Sequence, residues 1–320
     1  MVASMGSASD NPLILFNNHF VGHRRAYPYA TRLAIAADLG YDGYEFHPIE
    51  PGDDASWDAA EDAFRRSGLA HCGMYVVIKG VADHEVAALS GELARVELIL
   101  DRLGAFSTGA HKPYLNLAIG SNPSGGSGAY EESGSAKAEE RHWRRAAELV
   151  AEIDRMMVER GLRGNLYNHV WFMADTPQAI LRILRESDAK ALHPGIATFH
   201  AHFHPRVPDV PELLDLPGME TLAYVALLNA WPEPKPFRTV AIDSGQIDIA
   251  CFLGHLWLRG YRGPLVMQGY DLGGDPYVTA KACIDYVRSI RERFEQKPHL
   301  NPAFGYPAKQ RFRASFALAD

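Results

Sequence analysis

What most constrains this chain is a rhythm: short apolar runs alternate with longer amphipathic stretches along most of its 320 residues. The runs fall at residues 13–16, 43–46, 70–78, 114–119, 164–170, 195–199, 222–228 and 265–268. Stretches with helical spacing of apolar side chains occupy 29–39, 57–66, 81–103, 139–160, 178–185, 248–258 and 276–294. Several carry their own punctuation: Gly40, Gly68 and Gly161 stop helices, and Thr176-Pro177 opens one, because proline costs nothing at a first turn that lacks a partner for its N–H. Runs that are apolar throughout read as strands buried on both faces, the signature of a parallel sheet covered by helices. Eight strand–helix units on one chain predict an α/β fold in a single domain, a closed (β/α)8 barrel with right-handed crossovers and a filled interior. The barrel is expected over 12–295, after a flexible N-terminus at 1–11 and before a tail at 296–320 that packs on the barrel or on a partner. An open doubly wound sheet is the alternative, but no Gly-x-Gly-x-x-Gly follows the first strand.

Composition closes off other classes. Hydrophobic residues make up 47% of the chain and charged ones 22%, which excludes disorder and fibrous repeats. A net charge of −7 argues against a nucleic-acid binder. Cys72, Cys251 and Cys283 are too few and too scattered for a disulfide framework or a cysteine zinc site. No apolar run approaches the roughly 20 residues of a membrane span, and residues 1–11 lack the basic and apolar regions of a secretory signal. The expectation is a cytoplasmic protein that acts on a small molecule, with a homo-oligomer left open.

Such a barrel places its site at the C-terminal ends of its strands. Seven of the 14 histidines fall at or near that end: His19, His23, His47, His169, His200, His202 and His204. Glu45 sits within an apolar strand, where a carboxylate is costly unless paired or used. Tyr75, Asn116, Tyr167, Asn229 and Gln268 are polar residues at other strand ends. If 195–199 continues as a strand, His200, His202 and His204 fall at every second position, only one parity of the strand can face the barrel axis, and His202 is expected inward. The loop at 120–135 holds five glycines and five serines, reads as a mobile lid, and lacks the Lys-Ser/Thr ending of a phosphate loop. There is no Gly-x-Ser-x-Gly elbow and no His-Glu-x-x-His helix.

Three stretches carry a resemblance. Asp243-Ser-Gly-Gln-Ile-Asp-Ile249, then Leu256-Trp-Leu-Arg-Gly-Tyr-Arg-Gly263, then Pro264-Leu-Val-Met-Gln268 resemble the ending of the sugar phosphate isomerase/epimerase family, the xylose isomerase-like TIM barrels. Gly40-Tyr-Asp-Gly-Tyr-Glu45 resembles that family's second strand. The resemblance implies a divalent metal, Mn, Mg or Zn, held by Glu, Asp, His and Glu on strands five to eight. Carried over, those positions fall at Tyr167, Phe199 (with His202 in place of the usual following His), about Ala226, and Gln268. All four are substituted, so the usual metal site is expected to be lost. Tyr167-x-His169 and Gln268-Gly-Tyr270 resemble a branch of the family with this pattern.

Two chemistries stay open. Glu45, His169 and His202 can be imagined holding a metal in a rearranged site, since imidazole and carboxylate together suit Zn, Mn or Fe. Without metal, Glu45 serves as base and His169 or His202 as acid, while His19, His47, Tyr75, Asn116, Tyr167, Asn229 and Gln268 bind the substrate. Amides suit a polyol because they both donate and accept, and Trp171, Phe172 and Tyr75 offer an apolar wall. The expected activity is isomerisation, epimerisation or lyase-type proton transfer on a sugar or related hydroxy-carbonyl compound. The alternatives are a non-catalytic or partner-dependent barrel subunit, or a barrel repurposed for a non-sugar metabolite.

Overall fold

Eight parallel strands close on themselves in the structure, a computed structural model that describes residues 11–20, 27–48, 53–109, 111–125, 129, 133–232 and 238–313. The barrel strands are β1 (Leu13–Phe16), β2 (Gly43–Phe46), β3 (His71–Ile78), β4 (Tyr114–Ile119), β5 (Arg163–Leu166), β6 (Leu192–Ala197), β7 (Tyr224–Leu227) and β10 (Leu265–Met267). Closure is made where Ile14 of β1 lies beside Val266 of β10 on one side and Gly43 of β2 on the other. Around them run α1 (Tyr29–Asp38), α2 (Asp54–Ser67), α3 (Leu89–Leu103), α4 (Glu140–Glu159), α5 (Pro177–Ser187), α8 (Ile249–Leu258) and α9 (Pro276–Gln296). Two short helices, α6 (Thr198–His202) and α7 (Val210–Leu214), follow β6, and a hairpin of β8 (Asn229–Trp231) and β9 (Arg238–Val240) follows β7. Among the described residues no helix is long and apolar enough to cross a membrane.

Alternation along each strand divides the buried side chains into two sets. Leu13, Leu15, Tyr44 and Phe46 face outward, where the helices cover them. Ile14, Phe16, Tyr114, Tyr167, Tyr224 and Val266 face the axis. Tyrosines this large fit inside only because neighbouring strands give up side chains. A Cβ on Gly73 would lie 2.2 Å from the Tyr114 ring, and one on Gly195 would lie 2.4 Å from Asn165 Nδ2. The helix ends follow their sequence signals. Asp53 Oδ1 accepts from Ser56 N at 2.8 Å to start α2, and Thr176 Oγ1 accepts from Ala179 N at 3.1 Å to start α5.

Several boundaries differ from the sequence reading. The single helix expected at 81–103 is a 3-10 turn, Asp83–Ala88, followed by α3. The turn comes where Asp83 reaches across to Arg141 and Arg145 on α4, at 2.8 and 2.6 Å. The sixth strand starts and ends earlier than expected, at Leu192 and Ala197, and the chain then coils into α6. The fifth ends at Leu166 rather than at 170.

Both ends of the described chain are tied down. Asn11 donates through Nδ2 to Gly263 O at 2.8 Å and accepts from Trp257 Nε1 at 2.9 Å. The segment after α9 bonds to the barrel's helices: Gln310 Nε2 donates to Leu214 O at 2.6 Å, and Phe312 N to Arg259 O at 2.9 Å. Arg259 is itself fully buried, 2.9 Å from Asp215. Residues 1–10 of the expected flexible start, and 314–320 of the tail, lie outside the described residues. So do His23 and six of the sixteen residues of the loop expected to be a lid. Where that loop is described it is anchored, with Ser135 giving its N–H and hydroxyl to the buried Asp175 at 3.1 and 2.5 Å.

Candidate active site

A cavity of about 510 Å³ opens at the C-terminal ends of the barrel strands. Seven of the eight units contribute: Phe16 from β1, His47 after β2, Tyr75 in β3, Tyr167 and His169 after β5, Phe199 and His200 on α6, Leu228 after β7 and Gln268 after β10. Trp171, Tyr270 and Asp271 also line it. Trp171 and Asp271 are two of the three described non-glycine residues with positive φ, at 69° and 58°. Such backbone costs energy, and it concentrates where a site needs a side chain aimed against the local preference.

The chemistry gathers on one wall. His169 and His200 have ring centroids 3.9 Å apart, and His169 also stacks on Phe172 at 4.0 Å. Burial pushes His169 down to about 4, against the pull of its hydrogen bond to the Val170 carbonyl. His200 lies well below the usual histidine range, because it is buried and because His169 adjoins it. Both rings are therefore neutral at physiological pH. His200 Nδ1 is buried and has no hydrogen-bond partner among the described residues. Across the cavity Gln268 Nε2 donates to Tyr167 Oη at 2.9 Å, which leaves the phenol proton and the amide oxygen for a ligand. Tyr167 is held well above its usual range by burial, and stays a neutral donor.

Of the ten residues singled out in the sequence, five line this cavity: His47, Tyr75, Tyr167, His169 and Gln268. The other five do not. Glu45 is fully buried inside the barrel, where Oε2 accepts from Tyr114 Oη at 2.8 Å and Oε1 accepts from Asn116 Nδ2 at 3.0 Å and Tyr224 Oη at 3.1 Å. Burial raises its carboxyl to about 7 despite the three donors. Asn116 is spent on that carboxylate and on Asn165, whose Nδ2 it accepts at 2.8 Å. Asn229 holds the chain after the hairpin, donating to Ile242 O and Ile247 O at 3.0 and 2.9 Å. His19 is buried behind Gly269, where an added Cβ would meet its ring at 2.2 Å.

His202 is exposed and His200 takes the inward place. The strand parity that selected His202 does not apply, because these residues lie on α6, where two positions are about 200° apart rather than on one face. Helical spacing would have separated His200 from His202 had the end of β6 been known. Tyr114 and Tyr224 were also missed; their only signal was a polar-tipped ring in an apolar strand.

The donor set for the implied metal can now be weighed. By the resemblance its four positions fall at Tyr167, Phe199 (with His202 as the following His), about Ala226, and Gln268, and they offer no carboxylate. The rearranged set is not assembled either: Glu45's oxygens are taken up inside the barrel and His202 lies off the cavity. No group of three or more His, Cys, Asp or Glu side chains is placed to hold a metal among the described residues. These side chains do not fit the family's cation, and no step below is routed through one.

A family model described as xylose isomerase-like TIM barrel matches residues 33–287. No curated protein matches the chain in sequence. Similar solved structures include an L-ribulose 3-epimerase, 16% identical with TM-score 0.68, covering 93% of this chain and 100% of that one. A 3-keto-D-glucoside 4-epimerase from E. coli is 14% identical with TM-score 0.65, over 87% of this chain and 99% of that one. A probable 3-DHS dehydratase from Bacillus anthracis is 13% identical with TM-score 0.67, over 87% and 98%. At these identities the likeness is one of fold.

Proposed function

Since the chain belongs to the xylose isomerase-like TIM barrel family, we propose that it is an enzyme moving a proton beside the carbonyl of a sugar or related hydroxy-carbonyl compound, with imidazole in place of the family's divalent cation. One observation carries the reading: two neutral histidines, His169 and His200, in ring contact on the wall of a cavity lined mostly by aromatic rings. His169 Nδ1 lies 2.8 Å from Val170 O, and a carbonyl oxygen can only accept, so Nδ1 carries the ring proton and Nε2 keeps its lone pair. That nitrogen is the base. Tyr167 and Gln268 bind substrate hydroxyls. Phe16, Tyr75 and Trp171 supply apolar faces for the C–H side of a sugar ring. Glu45 fixes Tyr114 and Tyr224 in the barrel interior, and the Tyr224 ring lies 6.1 Å from that of Tyr167 on the cavity wall. The neighbours named as sugar epimerases and as a dehydratase support the reaction class.

The test is proton exchange. In deuterated water the protein is expected to wash deuterium into the α-position of at least one of a panel of keto sugars including D-fructose, D-allulose and L-ribulose. His169→Gln is expected to slow this by about 10²–10⁴-fold, the usual worth of a positioned base. Saturable sugar binding with no exchange would replace the enzyme by the second reading, a non-catalytic barrel subunit.

A further inference from the structure

The connection between β7 and α8 runs from Leu228 to Asp248 and carries the β8–β9 hairpin, whereas strand-to-helix connections in such folds commonly take about 2–6 residues. One buried amide holds this long segment down. Asn229 Nδ2 donates to Ile242 O and Ile247 O, and its Oδ1 accepts from Ala230 N and Ile247 N at 2.9 and 3.0 Å. A side chain on Gly245 has no room beside it, since a Cβ there would lie 2.1 Å from Asn229 Oδ1. Thus anchored, the hairpin becomes a wall common to two cavities. Thr239 of β9 and Asp271, after β10, line both the active-site cavity and a second one of about 460 Å³ beside it. Arg238 and Thr279 line the second cavity. Trp231 lies directly opposite Arg238 across the hairpin, so the two side chains share a face. Trp231 is 48% exposed, and Tyr270, on the wall of the active-site cavity, is 54% exposed.

These groups suit hydroxyls. Neither the Arg238 nor the Asp271 side chain has a hydrogen bond or ion pair among the described residues. The guanidinium only donates and the carboxylate only accepts, so together they match a hydroxyl, which does both. Asp271 is also held at a φ of 58°, a backbone cost that concentrates at binding sites. A guanidinium alone would suit an anion, but the Asp271 carboxylate in the same wall repels one. The rings of Trp231 and Tyr270 add flat apolar faces with a polar tip. We propose that the second cavity is a subsite for a second sugar ring, so that the substrate is a glycoside: the hydroxy-carbonyl ring sits against His169, and the glycosidic bond passes over the Thr239–Asp271 wall to a ring held by Arg238, Asp271 and the Trp231 face. This rests on the proton-transfer reading above. The two cavities, about 510 and 460 Å³, are each large enough for one unit, since small-molecule pockets run upwards from about 300 Å³. The distal ring takes no part in the bond changes. Its binding energy is felt alike before and at the transition state, so it acts on KM rather than on kcat.

Binding and turnover are read separately. Calorimetric titration with D-fructose and with the ketose disaccharides lactulose, turanose and isomaltulose is expected to show at least one disaccharide bound about tenfold more tightly than D-fructose, the worth of one hydrogen bond to a charged group. Arg238→Gln and Trp231→Ala alter exposed side chains, and each is expected to shrink that ratio to within about twofold of unity. In the deuterium-exchange assay the same disaccharide is expected to show the lower KM at a similar kcat. Disaccharides bound no more tightly than D-fructose overturn the proposal, as does an advantage that survives both substitutions. D-Fructose 6-phosphate bound more tightly than every disaccharide also overturns it, by making the occupant an anion on Arg238. Tighter disaccharide binding that both substitutions abolish, with no exchange on any of these sugars, would instead overturn the reaction class and leave the subsite standing.

Discussion

Replacing Glu45 by Gln separates the carboxylate's titration from its packing. In the folded protein the carboxyl is raised from an ordinary 4.5 to about 7 by burial. Between those values the folded state keeps a proton that the unfolded chain has released. The sign follows: this contribution is fully present below the unfolded value and is lost as pH rises through the folded one. A separation of between two and three pH units corresponds to roughly 3 kcal/mol in all, at 1.36 kcal/mol per unit. Integrating between pH 5 and pH 8.5 leaves roughly 2–3 kcal/mol inside a window where unfolding can be followed. Glutamine has nearly the same shape. Its Oε1 still accepts from Asn116 and Tyr224, and its amide N–H2 meets a Tyr114 hydroxyl that can rotate to accept. Urea unfolding of both proteins at pH 5, 6, 7 and 8.5 is the assay, because the histidines common to the pair cancel in the difference. The stability of the natural protein relative to Glu45→Gln is expected to fall by roughly 2–3 kcal/mol across that range. Parallel pH curves would refute the reasoning, since they would mean the carboxyl titrates alike in both states. A difference that grows with pH would mean the three donors outweigh burial and the charge is stabilised.

Because His169 is held near 4, kcat/KM for exchange is expected to rise as pH increases through about 4 and to level off above pH 5, since only the unprotonated Nε2 can accept. A rising limb near 7 in the pH–rate profile would instead assign the base to a group like Glu45. Gly73→Ala places a methyl 2.2 Å from the Tyr114 ring, and is expected to cost about 1–3 kcal/mol in denaturant unfolding by overpacking; a change within about 0.5 kcal/mol would mean the interior tyrosines are loosely held.

The barrel was legible because its strands are buried on both faces. Runs such as Leu13–Phe16 and Tyr114–Ile119 show no alternation, and amphipathic stretches ending at Gly40, Gly68 or Gly161 mark the helices between them. What stayed hidden depends on where a strand stops. Two residues of difference at the end of β6 moved the histidine series from a strand to a helix, and so exchanged His202 for His200. The connection from β7 to α8 carries a hairpin that the composition did not announce, so Asn229 looked like a ligand when it holds a loop. Glu45 was singled out correctly as an unusual buried carboxylate. Its depth inside the barrel is set by strand stagger, which brings Tyr114 and Tyr224 to its level from far along the chain. The second cavity was out of reach too, since its walls come from that hairpin and from the segment after β10.

Solvent deuterium entering a keto sugar's α-position decides most directly whether imidazole carries the chemistry. Protein stripped with a chelator, and the same protein given Mn2+ afterwards, are expected to exchange at the same rate, with His169→Gln inactive in both. Loss of exchange on stripping, with recovery on adding Mn2+, would contradict it.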